Sequence, residues 1–294
     1  MNGVVGFIGL GNMGRPMAAN LIGTCQRLLV CDHHQENMDA LRAKGAEIEL
    51  DCARMAREAD VIFLSLPAPK QVREAVQGPD GLLAHGHAGQ YIIDTSTVDT
   101  TTSRELAGEA AGLGIIYIDA PVSGGGHNAA AGTLTFMLGA REEELAPVLP
   151  LIQAMGKTLH YMGRRGGGSA IKIINNFMCF AIQIVNAEAL VMADHVGMTF
   201  DEFFAVVDTS SGGNTGLRAK REKLRRDDIE AAFTVDLVIK DLELAVQICR
   251  DCGIPNFTLN FALQWYRMAQ YNGYAKKDST SVIRLIRGLD QPKD

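Results

Sequence analysis

Long apolar runs are missing from this sequence. A membrane span needs roughly 20 consecutive apolar residues, and the longest candidate, between Arg165 and Glu188, is interrupted by Lys172, Asn175, Asn176 and Gln183. No membrane partner is expected. Cationic excess is missing too: 28 Lys and Arg stand against 34 Asp and Glu, a formal net charge of −6, and such a field does not favour nucleic-acid phosphates. Nucleic acid is not expected as a partner either. Met1 to Gly3 leave no space for a charged n-region or an amphipathic presequence ahead of VVGFIGL, which gives the expectation of a cytoplasmic chain. Six cysteines, Cys25, Cys31, Cys52, Cys179, Cys249 and Cys252, are scattered through mostly apolar segments, as reduced core thiols are, and predict no disulfide framework. Cys249 and Cys252 form a C-x-x-C, but they close the helical pattern DLELAVQICRDCG instead of opening a helix after a strand, and no second pair completes a zinc site. No metal is expected.

What is present suits two modest domains: 294 residues, 47% of them hydrophobic, are long for one core and ample for two. The first half alternates VVGFIGL, RLLVCD, DVIFLSLP, QYIIDTS, GIIYIDAP and LTFMLG with amphipathic segments, which predicts βαβ units and a mostly parallel sheet. After HYMGRRGGG the strand signal ends, and helix-period segments run on, punctuated at Gly197, SSGGN, Gly253-Ile254-Pro255 and YNGY. The boundary is expected between Gly163 and Gly168, giving an α/β domain over 1–164 and an all-α domain over 165–294. The run KREKLRRDD carries its own acidic residues and is read as a solvated helix face.

GFIGLGNMG contains Gly9-x-Gly11-x-x-Gly14, with an apolar strand before it and the helical RPMAANLI after it. That context turns a weak pattern into a dinucleotide-binding loop. The chemistry asks for a tight turn at Gly9, backbone close to a pyrophosphate at Gly11, and close helix–strand packing at Gly14, with N–H groups at the helix start facing phosphate. The second strand ends in VCDHH, which puts Asp32 eighteen residues after Gly14, where an acidic side chain accepts hydrogen bonds from ribose hydroxyls. NAD is favoured over NADP, because a 2′-phosphate would meet this carboxylate with no adjacent arginine, although His33 and His34 can become cationic. Asp32 as a simple turn residue is the alternative.

GGGSAIKIINNFMCFAIQIVNA holds one charged residue, Lys172, with Asn175 and Asn176 three and four residues on. On a helix these three share a face. Either the lysine stem packs on the core while its head reaches water, or a desolvated amine is held to exchange a proton with a substrate hydroxyl. In DAPVSGGGHNAAAGTLTFMLG, the turn Ser123-Gly124-Gly125 follows a strand and can aim a hydroxyl and backbone N–H groups at a carboxylate. The same residues also make ordinary flexible turns.

Taken together these stretches resemble the β-hydroxyacid dehydrogenase family, over essentially the whole chain. GFIGLGNMGRPMAANL is similar to its cofactor motif, DAPVSGGGHNAAAGTLTFMLG to its substrate loop, GGGSAIKIINN to its catalytic G-x-x-x-K-x-x-N-N, and KDLELA to its C-terminal cofactor motif. The resemblance implies a Rossmann-like domain, an interdomain helix over about 166–195 and a helical domain used in oligomer contacts, as homodimer or homotetramer. It implies Lys172 as catalytic acid/base, with Ser123, Gly124, Gly125 and Asn176 on the substrate and Phe233 and Asp241 nearby. For the cofactor it implies the loop Gly9, Leu10, Gly11, Asn12, Met13 and Gly14 together with Asp32, Leu66, Pro67, Thr97 and Lys240.

The expected reaction moves hydride between the hydroxyl-bearing carbon and nicotinamide while Lys172 takes or returns the hydroxyl proton. Expected substrates are a small 3-hydroxy acid or its semialdehyde, as for 3-hydroxyisobutyrate dehydrogenase, with tartronate semialdehyde or succinic semialdehyde reduction, or a 2-(hydroxymethyl)glutarate-type oxidation, as alternatives. His127, beside the substrate loop, is a candidate for the distal end of the substrate, and Arg218, Lys220 or Arg221 for a second carboxylate. Thr100 stands where the family often has proline, at a helix start. Two rivals from other classes, a dinucleotide-binding interaction module and an imine reductase, are both disfavoured by Lys172 beside Asn175 and Asn176.

Overall fold

The computed structural model describes residues 3–288. Six strands form one parallel sheet: β1 (Val4–Ile8), β2 (Arg27–Cys31), β3 (Glu47–Ile48), β4 (Val61–Leu64), β5 (Tyr91–Asp94) and β6 (Ile116–Asp119), in the order β3-β2-β1-β4-β5-β6. All five pairings are parallel. The strands read as continuous apolar runs because both faces are covered. Alternate side chains point to opposite faces: Phe7, Val30 and Phe63 join one core, and Ile8, Leu29, Ile62 and Leu64 the other.

LTFMLG was expected in this sheet and lies outside it. As β8 (Leu134–Leu138) it forms the centre of a second sheet, antiparallel to β7 (Val122–Ser123) and parallel to β9 (Gly156–Tyr161). Its Leu134, Phe136 and Leu138 close the same core as Phe7 and Phe63. The strand signal missed β9, whose residues Lys157, Thr158 and His160 are exposed and give no apolar run.

From Gly167 the described chain is helical. The helix Gly167–His195 is followed by Phe200–Val207, Thr215–Arg225, Val235–Cys252, Phe257–Ala269 and Val282–Ile286, with short helical turns between the last two. Thr199, Asn214 and Thr234 each cap a helix start with the side chain, and Thr199 with Glu202 completes a capping box. Cys252 ends its helix before a Gly253 cap, and none of the six cysteines is in a disulfide. The helix Gly167–His195 is long and apolar enough to cross a membrane by length and composition, with 44% of its most apolar window buried. The helical unit covers one side of it, where Ile173, Phe180 and Ile184 meet Val238, Leu242 and Tyr266.

Two compact units divide inside this helix, Met1–Lys172 and Ile173–Asp294. The catalytic-lysine candidate is the last residue of the first.

Candidate active site

The glycine loop leaves β1 and is fixed by its neighbours at two points. Gly9 N–H donates to the Cys31 carbonyl at 2.9 Å, and Leu10 N–H donates to the Asp32 carboxylate at 2.5 Å. Gly9 has φ +91°, and a Cβ there would overlap the Ser65 carbonyl oxygen, so both conformation and space demand glycine. A Cβ at Gly14 would overlap the Gly9 carbonyl oxygen. Gly11 differs, because a Cβ there meets no protein atom. The fold supplies no reason for that glycine, whereas a pyrophosphate drawn close to the backbone does. No side chain caps the first turn of the helix Gly14–Ala19, where Arg15 N–H donates to the Gly11 carbonyl at 3.1 Å and Met17 N–H to the Met13 carbonyl at 3.2 Å. These residues fit a dinucleotide.

Asp32 also accepts from His34 N–H at 2.7 Å and lies 3.1 Å from His34 Nδ1. Burial pushes its carboxyl up, but the hydrogen bonds from Leu10, His34 and Asn37 outweigh this and hold it below the ordinary value. It is a carboxylate at neutral pH. The sequence shows no arginine beside it, yet the fold brings the Arg15 guanidinium to 3.5 Å from Asn37 Oδ1, and Asn37 hydrogen-bonds the aspartate.

The loops after β4 and β5 are tied together. Leu66 N–H donates to Ser96 Oγ at 2.9 Å and Thr95 Oγ1 donates to the Leu64 carbonyl at 2.6 Å. This places Leu66, Pro67 and Thr97 along one edge of the sheet with the glycine loop. Ser96, unassigned from sequence, is the tie.

The Ser-Gly-Gly turn sits against the same loop. Ser123 ends β7, and Gly124 has φ +131°, a conformation that L side chains rarely adopt. In the following helix, Gly125–Ala131, a Cβ at Gly126 would lie 3.5 Å from the Asn12 carbonyl oxygen. Asn20 Nδ2 donates to the Ala129 carbonyl at 2.7 Å, fixing this helix to the one that follows the glycine loop. His127 is exposed on its first turn.

The start of the lysine helix is anchored in the first unit. The buried Asp119 carboxylate accepts from Gly166 N–H at 2.8 Å and Ser169 N–H at 2.9 Å, and Ser103 Oγ lies 2.8 Å from Ser169 Oγ. A Cβ at Gly168 would overlap the Met137 carbonyl oxygen, so the helix lies directly on the end of β8. Lys172, one turn further on, is buried. Asp119 was visible in DAPVSGG but was given no role, because only the fold shows the N–H groups it caps.

Within the helical unit, Asn176 Nδ2 donates to the Asp241 carboxylate at 2.6 Å, and Lys240 Nζ lies 2.9 Å from the other oxygen of that carboxylate. Residues from two distant segments thus form one group, in which Asn176 and Asp241 are buried and Lys240 is half-buried. Phe233 stacks on Phe180 with ring centroids 5.4 Å apart. The cations considered for a second carboxylate are engaged: Arg218 and Arg221 each lie 3.3 Å from Asp208, and Lys220 lies 3.2 Å from the buried Asp278.

Residues 4–163 match the NAD-binding domain model of 6-phosphogluconate dehydrogenase, and residues 166–286 match that of NADP-dependent 3-hydroxyisobutyrate dehydrogenase. A 2-(hydroxymethyl)glutarate dehydrogenase of Eubacterium barkeri is 36% identical over 96% of this chain and 94% of its own. An NAD-dependent L-serine dehydrogenase of Pseudomonas aeruginosa is 35% identical over 96% and 97%. The solved structure of Mycobacterium tuberculosis 3-hydroxyisobutyrate dehydrogenase with L-serine superposes with a TM-score of 0.87 at 30% identity, covering 98% of this chain and all of that one. With the glycine loop, the Ser-Gly-Gly turn and the buried lysine all in place, the chain belongs to the β-hydroxyacid dehydrogenase family of NAD(P)-dependent oxidoreductases.

Proposed function

We propose that the protein interconverts a 3-hydroxy acid of the form HO–CH2–CHX–COO⁻ and its semialdehyde, using NAD. The observation that carries this reading is the buried Lys172, one turn beyond a helix start that Asp119 pins into the unit holding the dinucleotide loop. Bound nicotinamide supplies the hydride acceptor or donor. Ser123, Gly124 and Gly125 bind the carboxylate, and Lys172 takes the hydroxyl proton in oxidation and returns it in reduction. Asn176, its amide oriented by Asp241, positions the hydroxyl-bearing end of the substrate.

The compounds that name the relatives share this skeleton, with X a methyl, an amino or a carboxyethyl group. Arg218, Lys220 and Arg221 are occupied by aspartates of their own unit, which favours a small X and puts 3-hydroxyisobutyrate first. For the cofactor, the ionised Asp32 favours the free ribose of NAD, and Arg15 is the group that would soften rejection of NADP.

The test follows nicotinamide absorbance with NAD and with NADP against 3-hydroxyisobutyrate, serine, glycerate, 2-(hydroxymethyl)glutarate and 4-hydroxybutyrate. Turnover is expected with NAD and a compound carrying the alcohol next to the carboxylate-bearing carbon. Preference for 4-hydroxybutyrate would overturn the skeleton. Lys172→Ala should lower kcat by about 10²–10⁴-fold with dinucleotide binding retained, and unchanged turnover would remove the lysine from the chemistry.

Self-association is part of the same reading. Ile174, Met178, Ile182, Val185 and Met192 form an exposed apolar stripe along the long helix, and Phe257, Phe261 and Met268 form another on the helix Phe257–Ala269. Apolar stripes of this kind mark surfaces that a partner covers, and a second copy of the chain, as homodimer or homotetramer, covers them. Val185→Lys should shift the mass measured by light scattering towards the monomer.

A further inference from the structure

One side chain crowds the turn at Gly124, that of Asn128. A Cβ on Gly124 would lie 2.9 Å from both Cβ and Nδ2 of Asn128 and 3.2 Å from Leu134, so the glycine leaves the space that the amide fills. Helix geometry explains the arrangement. Asn128 stands in the helix Gly125–Ala131, four residues after Gly124, and a helical side chain leans over the turn on the N-terminal side of its own Cα. The backbone beneath it is fixed. Its carbonyl accepts Thr133 N–H at 2.9 Å, and the next carbonyl, of the fully buried Ala129, accepts from Asn20 Nδ2 at 2.7 Å.

The amide itself has no task in the fold. Asn128 and Ser123 are half-buried beside the exposed Gly124, and among the described residues neither the Asn128 amide nor the Ser123 hydroxyl hydrogen-bonds to another protein group. Both are left to water, which a ligand with better acceptors displaces. The local charges say what that ligand is. Between Asp119 and Arg141 the chain has no lysine, arginine, aspartate or glutamate, so no carboxylate in this stretch repels an anion, and neutral donors meet it. An amide offers two N–H donors, and their bonds to a charged acceptor are stronger than those to a neutral one.

We propose that Asn128 is a further substrate-binding residue, whose amide N–H donates to the substrate carboxylate held by Ser123, Gly124 and Gly125. The inference rests on the hydroxy-acid reading given above and adds how the acid is recognised, by hydrogen bonds from uncharged groups of this stretch. A carboxylate accepts such bonds through both oxygens and has no hydrogen to donate. The site therefore selects the acid over its neutral amide, whose single carbonyl oxygen accepts more weakly and whose NH2 group finds only donors. Gly124 and Asn128 act as a pair, because any side chain on Gly124 would push the amide off the turn.

The experiment reads binding without turnover. Calorimetry follows 3-hydroxyisobutyrate, and separately 3-hydroxyisobutyramide, added to the full chain saturated with NADH, since an alcohol and a reduced cofactor do not react. Asn128→Ala should weaken binding of the acid by about 10–100-fold and that of the amide by less. Asn128→Asp keeps the shape but opposes the carboxylate, so it should weaken the acid further and lower the preference for acid over amide. NADH affinity should be retained in both variants. Unchanged binding of the acid in the two variants would overturn the proposal. So would equal losses for acid and amide, or a matching loss of NADH affinity, either of which makes Asn128 a packing residue of the turn. If the parent chain binds none of 3-hydroxyisobutyrate, serine, glycerate and 2-(hydroxymethyl)glutarate, the hydroxy-acid reading itself fails, and the role of Asn128 with it.

Discussion

Both units bury aspartates, but they stabilise them in opposite ways. In the Rossmann-like unit Asp94 accepts from Ser96 N–H at 2.9 Å and Tyr117 Oη at 2.7 Å, and Asp119 accepts from two backbone N–H groups. No cation pairs with Asp94 among the described ion pairs, and burial pushes it up to about 6 and raises Asp119 as well. In the helical unit Asp278 accepts from Ala232, Phe233 and Thr280 N–H and pairs with Lys220 at 3.2 Å. Burial raises it too, but Lys220 and the N–H groups win and bring it below the ordinary value. A parallel sheet wrapped by helices offers backbone donors and no room for a long cationic side chain, whereas a helix bundle can lay a lysine stem along its surface with the head turned in.

The largest effect expected from this contrast is at Asp278. Asp278→Ala leaves three backbone N–H groups without an acceptor and a half-buried lysine without its partner, which should cost about 4 kcal/mol in denaturant unfolding at neutral pH. The charge-dependent part of that loss should fade in acid. Because the folded carboxyl titrates below its ordinary 3.8, its contribution is full above that value and is lost as pH falls through the folded pKa. A difference that persisted undiminished in strong acid would show that the ion pair contributes nothing.

Asp119→Asn should come next. Its two partners are both N–H donors, on opposite carboxylate oxygens, and an amide keeps one acceptor only. One buried N–H at the start of the lysine helix loses its partner, at about 2 kcal/mol. A fall in kcat larger than the fall in dinucleotide affinity is expected, since the helix start carries Lys172. Equal falls in both would make Asp119 purely structural.

Asp94→Asn should have the smallest effect at neutral pH, within about 1 kcal/mol, because a tyrosine hydroxyl can reverse from donor to acceptor where an N–H cannot. The pH slope is the informative readout. Between 3.8 and about 6 the folded chain keeps a proton on Asp94 that the unfolded chain has released, so this group makes stability fall as pH rises through that window. Relative to the variant, the parent should gain stability on going from neutral pH to about 4. The opposite trend would place Asp94 with Asp278 and dissolve the contrast.

Much of the site was readable because its residues are close in sequence or fall into fixed spacings. Gly9, Gly11 and Gly14 fall into one short spacing, and Lys172, Asn175 and Asn176 share a face by helix period alone. Other features gave no local signal. β9 is too polar to stand out, LTFMLG looks like any buried strand yet belongs to a second sheet, and Arg15 reaches the neighbourhood of Asp32 from a different turn. The basic run near Arg221 reads as a solvated helix face, whereas the fold pairs Lys220 and Arg221 with Asp278, Asp208 and Asp201 from outside the run.

The sequence by itself determined the alternation of strands and helices, the dinucleotide loop and the polar face around one lysine, because periodicity, glycine sterics and capping act over a few residues. Only the tertiary structure decided that Asp119 holds the lysine helix across 47 residues and that Lys220 serves Asp278. Those partnerships join segments far apart in the chain, and which donor reaches which carboxylate is settled by how the elements pack, not by the character of either residue.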